Sequence, residues 1–249
     1  MIRDAVVVDV SQDWAMACTV QERFMQGVGR VPHTLDYSAR CKQVYALGGD
    51  CYDFTLLSND RLAMTLGDAS GKSLGGALMI ANVQSSLRTA ALFAGNDLAT
   101  VMQGVNRQVH ASSLPNQYAT LFYAVFDGPT RRLQYVNAGH NPPLVIHKDG
   151  SFMLLETGGP PVGVFEAAKY EVGTVQLRPG DILVGYSDGV VESENPAEEF
   201  WGLNGLQNAV AGSGMECAAS IVDSIFKSMD EYSKGRMADD ATVAVLKTL

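Results

Sequence analysis

The sequence has 249 residues, with 18 Lys+Arg against 27 Asp+Glu, for a formal charge of −9. That balance argues against a surface built to neutralise nucleic-acid phosphates or anionic lipid. An apolar fraction of 47% with 18% charged residues is globular rather than disordered.

No uninterrupted apolar run of about 18 residues is present, so a membrane span is not expected. Met1-Ile2-Arg3-Asp4 carries an acid where a signal peptide needs positive charge. The four cysteines (Cys18, Cys41, Cys51, Cys217) lack CxxC spacing, which predicts reduced, mostly buried thiols in a cytoplasmic protein.

In chain order, residues 11–29 read as a helix. Ser11 caps it, Asp13 suits its first turn and Gly29 its stop. Trp14, Ala17, Cys18, Phe24, Met25 and Val28 form one apolar stripe, which Gln21 interrupts. Such a helix either packs on its own domain or serves as a dimer or signalling helix, and the stripe alone leaves both open.

From Gln43 the hydrophobic period becomes strand-like. Strands are predicted at 52–57, 61–67, 118–126, 132–137, 143–147, 151–155, 170–177, 181–187 and 241–247. Ser58-Asn59-Asp60, Asp127-Gly128-Pro129 and Lys148-Asp149-Gly150 read as hairpin turns, so their flanking strands should pair antiparallel. Three helices interrupt the strands. The one at 73–94 is apolar or small nearly all round, as a buried helix should be. The one at 96–112 opens on Asn96 and Asp97, and the one at 215–233 is amphipathic. Strand runs segregated from helices imply an α+β fold, with a lead over 1–40 and one domain over 41–249.

Gly67-Asp68-Ala69-Ser70-Gly71-Lys72-Ser73 sits where a phosphate loop would, between strand and helix, yet it fails the GxxxxGK[ST] spacing. Asp68 would also place a carboxylate inside an anion cradle. An acid there suits a cation. Four patterns put aspartate at strand ends or turns: Gly49-Asp50, Gly67-Asp68, Asp188-Gly189 and Asp239-Asp240. Gathered and half-buried, such carboxylates would repel, and would either protonate or bind a cation. Oxygen ligands without Cys or His favour Mg²⁺ or Mn²⁺ over Zn²⁺. Asp127 and Asp149 are read as hairpin residues instead.

At these residues the sequence resembles the PPM-type metal-dependent protein serine/threonine phosphatases, in particular the bacterial SpoIIE/RsbU-like branch. The likeness runs through GGDCYDF (48–54), GDASGKSLGGALMIA (67–81), YATLFYAVFD (118–127), LQYVNAGHNPPLV (133–145), GGPPVGVF (158–165), LRPGDILVGYSDGVVES (177–193) and DDATVAVL (239–246). It implies a four-layer α-β-β-α sandwich of two antiparallel sheets flanked by helices, with two divalent cations, Mn²⁺ or Mg²⁺, at one end. Carried over by position, Asp50, Asp68, Asp188 and Asp239 are the metal ligands, with Asp68 bridging and Ala69 adding its carbonyl. These four aspartates would act catalytically through a metal-bridging water. Asp53 and Asp240 would be supporting residues.

Two departures stand out. Lys72 occupies a position where many members carry His, and the phosphate-binding Arg of eukaryotic relatives has no counterpart here; Arg40 is not assigned to that role. Cys51 is not expected to be a nucleophile, since Asp50 and Asp53 would raise its pKa. His140, in Asn137-Ala138-Gly139-His140-Asn141-Pro142-Pro143, is read as fixing its loop, and His33, His110 and His147 as surface or packing residues.

The resemblance implies hydrolysis of phosphoserine or phosphothreonine on a small regulatory protein of the anti-sigma-factor antagonist type. A homodimer through helix 11–29 and an upstream regulatory protein are the other expected partners, with no nucleic acid and no membrane. Only ten residues precede Ser11, leaving a sensor to a separate partner or a longer parent chain. The alternatives are a catalytically silent phosphatase-like binding module and a nucleotide-binding protein built on Gly71-Lys72-Ser73.

Overall fold

The computed structural model describes residues 10–25, 33–93, 97–213 and 216–249. In chain order, α1 (Val10–Phe24) leads into β1 (Leu35–Lys42), β2 (Asp50–Leu57) and β3 (Arg61–Ala69). Next come α2 (Ser73–Phe93), α3 (Leu98–Ser112), β4 (Ala119–Asp127), β5 (Arg132–Ala138), β6 (Leu144–Ile146) and β7 (Phe152–Leu154). They are followed by β8 (Gly158–Gly159), β9 (Gly173–Gln176), β10 (Ile182–Tyr186), α4 (Asp188–Val191), α5 (Gly202–Gly212), α6 (Ala218–Ser233) and β11 (Ala241–Thr248).

One sheet has the order β1-β11-β10-β6-β7 and the other β2-β3-β4-β5-β8, with β9 also on β5. The three hairpins form where their turn residues stand. Asn59 and Asp60 take positive φ (61° and 57°) between β2 and β3, as a tight hairpin of right-twisted strands requires. Asp127 Oδ1 accepts from Thr130 N at 2.9 Å between β4 and β5. Asp149 Oδ1 accepts from Ser151 N at 2.9 Å between β6 and β7. Among the described pairings only β5 with β8 runs parallel.

Strand alternation sorts the apolar residues into three cores and so fixes the layers. Leu62, Met64 and Leu66 of β3 meet Leu183 of β10 and Leu246 of β11 between the sheets. The opposite faces of β3 and β4, with Ala63, Leu121 and Tyr123, take Ile80 and Val83 of α2 and Val101 and Val105 of α3. The outer faces of β10 and β11, with Val184 and Val245, take Ile221, Ile225 and Met229 of α6 and Leu206 of α5. The result is the α-β-β-α sandwich of an α+β protein. The sheets approach closely at Gly185, where an added Cβ would stand 2.0 Å from Leu66 Cδ1.

Four differences from the sequence reading have physical causes. β1 is not marked by hydrophobic period because it is an edge strand, half-exposed along its length. It nonetheless pairs with β11 over all eight residues. Its Arg40 guanidinium lies 5.3 Å above the Phe226 ring and pairs with Asp223.

α2 buries Ile80, Val83 and Leu87 but exposes Leu74 (46%), Leu78 (66%) and Leu92 (70%), so it covers a sheet rather than lying inside the core. α5 was unread because Gly202, Gly205 and Gly212 lower its helix propensity, and burial of Leu206, Ala209 and Val210 overrides that. The thiols are free, yet only Cys51 is buried; Cys18 and Cys41 are half-buried and Cys217 is exposed. The expected Gly29 stop, Val28 and the Asn96 opening lie outside the described residues.

Candidate metal centre

Asp50 opens β2 and Asp68 nearly closes β3, and the antiparallel register sets them opposite each other. Asp188 follows β10 after Ser187 as the first residue of α4, and Asp239 and Asp240 directly precede β11. β10 and β11 are neighbours in the other sheet. Strand ends from both sheets therefore deliver five carboxylates to one rim of the sandwich.

Cross-sheet hydrogen bonds hold that rim together. Thr242 Oγ1 donates to Asp50 Oδ2 at 2.6 Å. Asp240 accepts from Val44 N at 2.8 Å through Oδ1 and from Gly49 N at 3.1 Å through Oδ2. The Asp188 turn packs equally tightly, since a Cβ on Gly189 would stand 2.1 Å from Asp240 O. Exposure rises from buried Asp50, through half-buried Asp68 and Asp188, to exposed Asp239. The proposed ligands are thus graded from buried to exposed, with Asp240 buried beside Asp239.

Electrostatics report the crowding. Burial pushes the Asp68 carboxyl up to about 7, and the charges of Asp188, Asp239 and Asp240 add to the rise. Asp50 is raised well above the carboxylate range by burial and then by Asp68. Burial likewise raises Asp188 and Asp240, with Asp239 adding to both. Repelled acids at one place are the donor set a hard cation would relieve. Among the described residues, no group of three His, Cys, Asp or Glu side chains stands in an arrangement that could hold a metal ion as it is.

The other singled-out residues take distinct places. Asp53 is bound by Arg88, with Nε to Oδ2 at 2.6 Å and Nη2 to Oδ1 at 2.8 Å, so its carboxylate is committed to α2. Ala69 is buried at the end of β3, its N–H donating to Gly49 O at 3.0 Å. The Cys51 thiol is raised by burial and by Asp50 and Asp53, which leaves it inert. His140 is buried, its Nδ1 2.8 Å from Thr120 Oγ1, and its N–H donates to Asn137 Oδ1 at 2.8 Å. Burial pushes that ring down to about 4, so it is neutral at physiological pH. Thr120 stands opposite Asp68 in the β3–β4 register, which gives the His140 loop its place beside the centre. His147 Nδ1 lies 3.1 Å from Asp181 Oδ2, and His110 Nδ1 lies 2.9 Å from Gly163 O.

Two participants were missed. Thr242, which binds Asp50, could have been found from its place two residues after Asp240 at the start of a strand. Gln21 is buried; its Nε2 donates to Gly48 O at 2.7 Å and its Oε1 accepts from Gly48 N at 3.2 Å. The signal was the polar interruption of an apolar stripe. α1 thus fastens its own domain at the loop just before Asp50, and Gln84 and Arg88 of α2 donate to its Phe24 carbonyl at 2.9 and 3.0 Å.

The sequence matches the family described as Stage II sporulation protein E (SpoIIE) over residues 58–249. It is 28% identical over 228 residues to Protein IcfG of Synechocystis sp. (strain ATCC 27184 / PCC 6803 / Kazusa), covering 80% of this chain and 35% of that protein. It is 26% identical over 243 residues to phosphoserine phosphatase RsbU of Bacillus subtilis (strain 168), covering 96% of this chain and 71% of that one. The SiaA-PP2C domain of Pseudomonas aeruginosa shares the fold, with a TM-score of 0.80, 18% identity and 96% coverage of each chain.

Proposed function

Because the chain belongs to the SpoIIE family, we propose that it is a metal-dependent protein phosphatase acting on phosphoserine or phosphothreonine of a small regulatory protein, of the anti-sigma-factor antagonist type. The observation that supports this most is the gathering of Asp50, Asp68, Asp188 and Asp239 at one rim, where burial and then neighbouring charges raise the carboxyls of Asp50, Asp68 and Asp188. The likeness to RsbU, a phosphoserine phosphatase, supports the substrate class. In this reading residues 41–249 carry the catalysis and 1–40 the control.

The four aspartates and the Ala69 carbonyl would hold two divalent cations, Mn²⁺ or Mg²⁺. Bound there, the cations supply Lewis acidity, activating water and neutralising charge on the phosphoryl group. Asp240 fixes the Gly49 backbone beside Asp50 through its Oδ2. Thr242 orients the Asp50 carboxylate. Neutral His140 positions Thr120 and moves no proton at physiological pH. No cysteine nucleophile takes part.

The experiment is phosphate release from p-nitrophenyl phosphate and from a phosphoserine peptide, with Mn²⁺ and with EDTA. Turnover should require Mn²⁺ and fall at least about a hundredfold in Asp188→Asn, a loss of roughly 3 kcal/mol. Equal activity in EDTA, or in the variant, would refute the metal assignment. An inert wild type that still binds phosphoprotein would establish the silent binding module instead.

We place regulation at α1. Gln21→Ala removes two hydrogen bonds to Gly48, worth about 1–2 kcal/mol together. It should lower Mn²⁺ affinity several-fold, read by titration calorimetry, because the Gly48–Asp50 loop loses its outer support. Unchanged affinity would detach α1 from the centre. A homodimer through this helix, or an upstream regulator acting on it, completes the proposal.

A further inference from the structure

Lys72 is the lysine of the loop that imitates a phosphate cradle, and its ammonium points at a carboxylate. Nζ lies 3.2 Å from Asp239 Oδ2 and 3.5 Å from Ala238 O. The other Asp239 oxygen, Oδ1, accepts from Asp240 N at 3.0 Å, so both oxygens of this acid are engaged. Lys72 is also the cation whose charge eases the ionisation of both Asp68 and Asp188. Arg40 is turned away, committed to Asp223 and the Phe226 ring on the far face of β1.

We propose that Lys72 is a tethered cation that competes with an incoming divalent ion for Asp239, and so sets the metal affinity of the centre. The proposal rests on the metal-centre reading above. In the metal-free protein the ammonium stands in for part of the missing positive charge and holds the acids together. A divalent ion bound to Asp239 would lie within a few ångströms of the ammonium, and like charges at that range repel. The lysine must therefore swing out when the ion enters. It can do so at little cost, because both side chains of the pair are more than half exposed (61% and 51%) and a solvated pair is weak.

The test is Mn²⁺ binding by titration calorimetry to the whole chain, comparing wild type with Lys72→Met and Lys72→Arg. Lys72→Met should bind Mn²⁺ about tenfold more tightly, the effect of removing one charge close to the ion in a solvated site. Lys72→Arg keeps the charge and should stay near wild type. Its melting temperature in EDTA should also fall in Lys72→Met, since the acids lose their internal counter-ion. Equal or weaker Mn²⁺ binding by Lys72→Met overturns the proposal while leaving the metal centre standing. Wild type that fails to bind Mn²⁺, or Asp188→Asn that binds it as wild type does, overturns both.

Discussion

Asp68→Asn is expected to lower Mn²⁺-dependent phosphate release by at least about a thousandfold, roughly 4 kcal/mol of barrier, and to raise the melting temperature of the metal-free protein. The two effects have one cause. Asp68 is the carboxyl on which burial and the charges of Asp188, Asp239 and Asp240 all bear. A ligand in that position loses its charge in the amide, and with it most of its hold on a hard cation. The same neutralisation relieves repulsion that the metal-free chain must carry. Asparagine matches aspartate in shape, so Cβ packing at the end of β3 is kept. Activity assays in Mn²⁺ and calorimetric melting in EDTA check both signs. A variant that melts lower than wild type in EDTA would mean that Asp68 serves the fold and not a cation.

How far the centre could be read from sequence follows from what sequence encodes locally. The hairpins at Asn59, Asp127 and Asp149 were legible because turn chemistry is written in consecutive residues. The four aspartates at strand ends were legible as candidates, since each sits beside an apolar run and a turn. Their meeting was not, because it depends on β2 and β3 lying in one sheet and β10 and β11 in the other. Nothing within either pair of segments specifies that partner. β1 escaped for a related reason, as an edge strand whose pairing with β11 joins residues about 200 positions apart. Arg88 shows the same limit. Nothing beside it in α2 marks it, yet it pairs with buried Asp53 and commits that carboxylate to the helix. Lys72, by contrast, was legible as a departure, a lysine where many relatives carry His, but its partner Asp239 is supplied by tertiary structure.

Metal-free protein should lose about 1–3 °C of melting temperature between pH 6.5 and 8, and Mn²⁺ should restore more than that at the higher pH. The Asp68 carboxyl is pushed up to about 7 in the fold, against about 3.9 in an unfolded chain. Between those values the folded state holds the extra proton. Its contribution to stability therefore falls as pH rises through the window and levels off above the folded value. Asp50, also raised by burial, acts in the same sense. His140 acts in the opposite sense: its ring is pushed down to about 4 in the fold, so stability gains with pH up to the unfolded value near 6.5, with a residual gain of about 0.4 kcal/mol above it. Above pH 6.5 the acids therefore dominate. The slope reaches about 1.4 kcal/mol per pH unit only while the proton is fully retained. A carboxyl at about 7 therefore loses about 0.8 kcal/mol between pH 6.5 and 8, and each kcal/mol moves a chain of this size by about 2–4 °C. Mn²⁺ at a hundred times its Kd adds about 2.7 kcal/mol, or about 5–10 °C. That gain is smaller at pH 6.5, because the ion must first displace protons from the same oxygens. Scanning calorimetry at pH 6.5 and 8, in EDTA and in Mn²⁺, decides the matter. A metal-free melting temperature that rises over this interval, or a Mn²⁺ increment equal at both pH values, would mean that these carboxyls do not share one cation site.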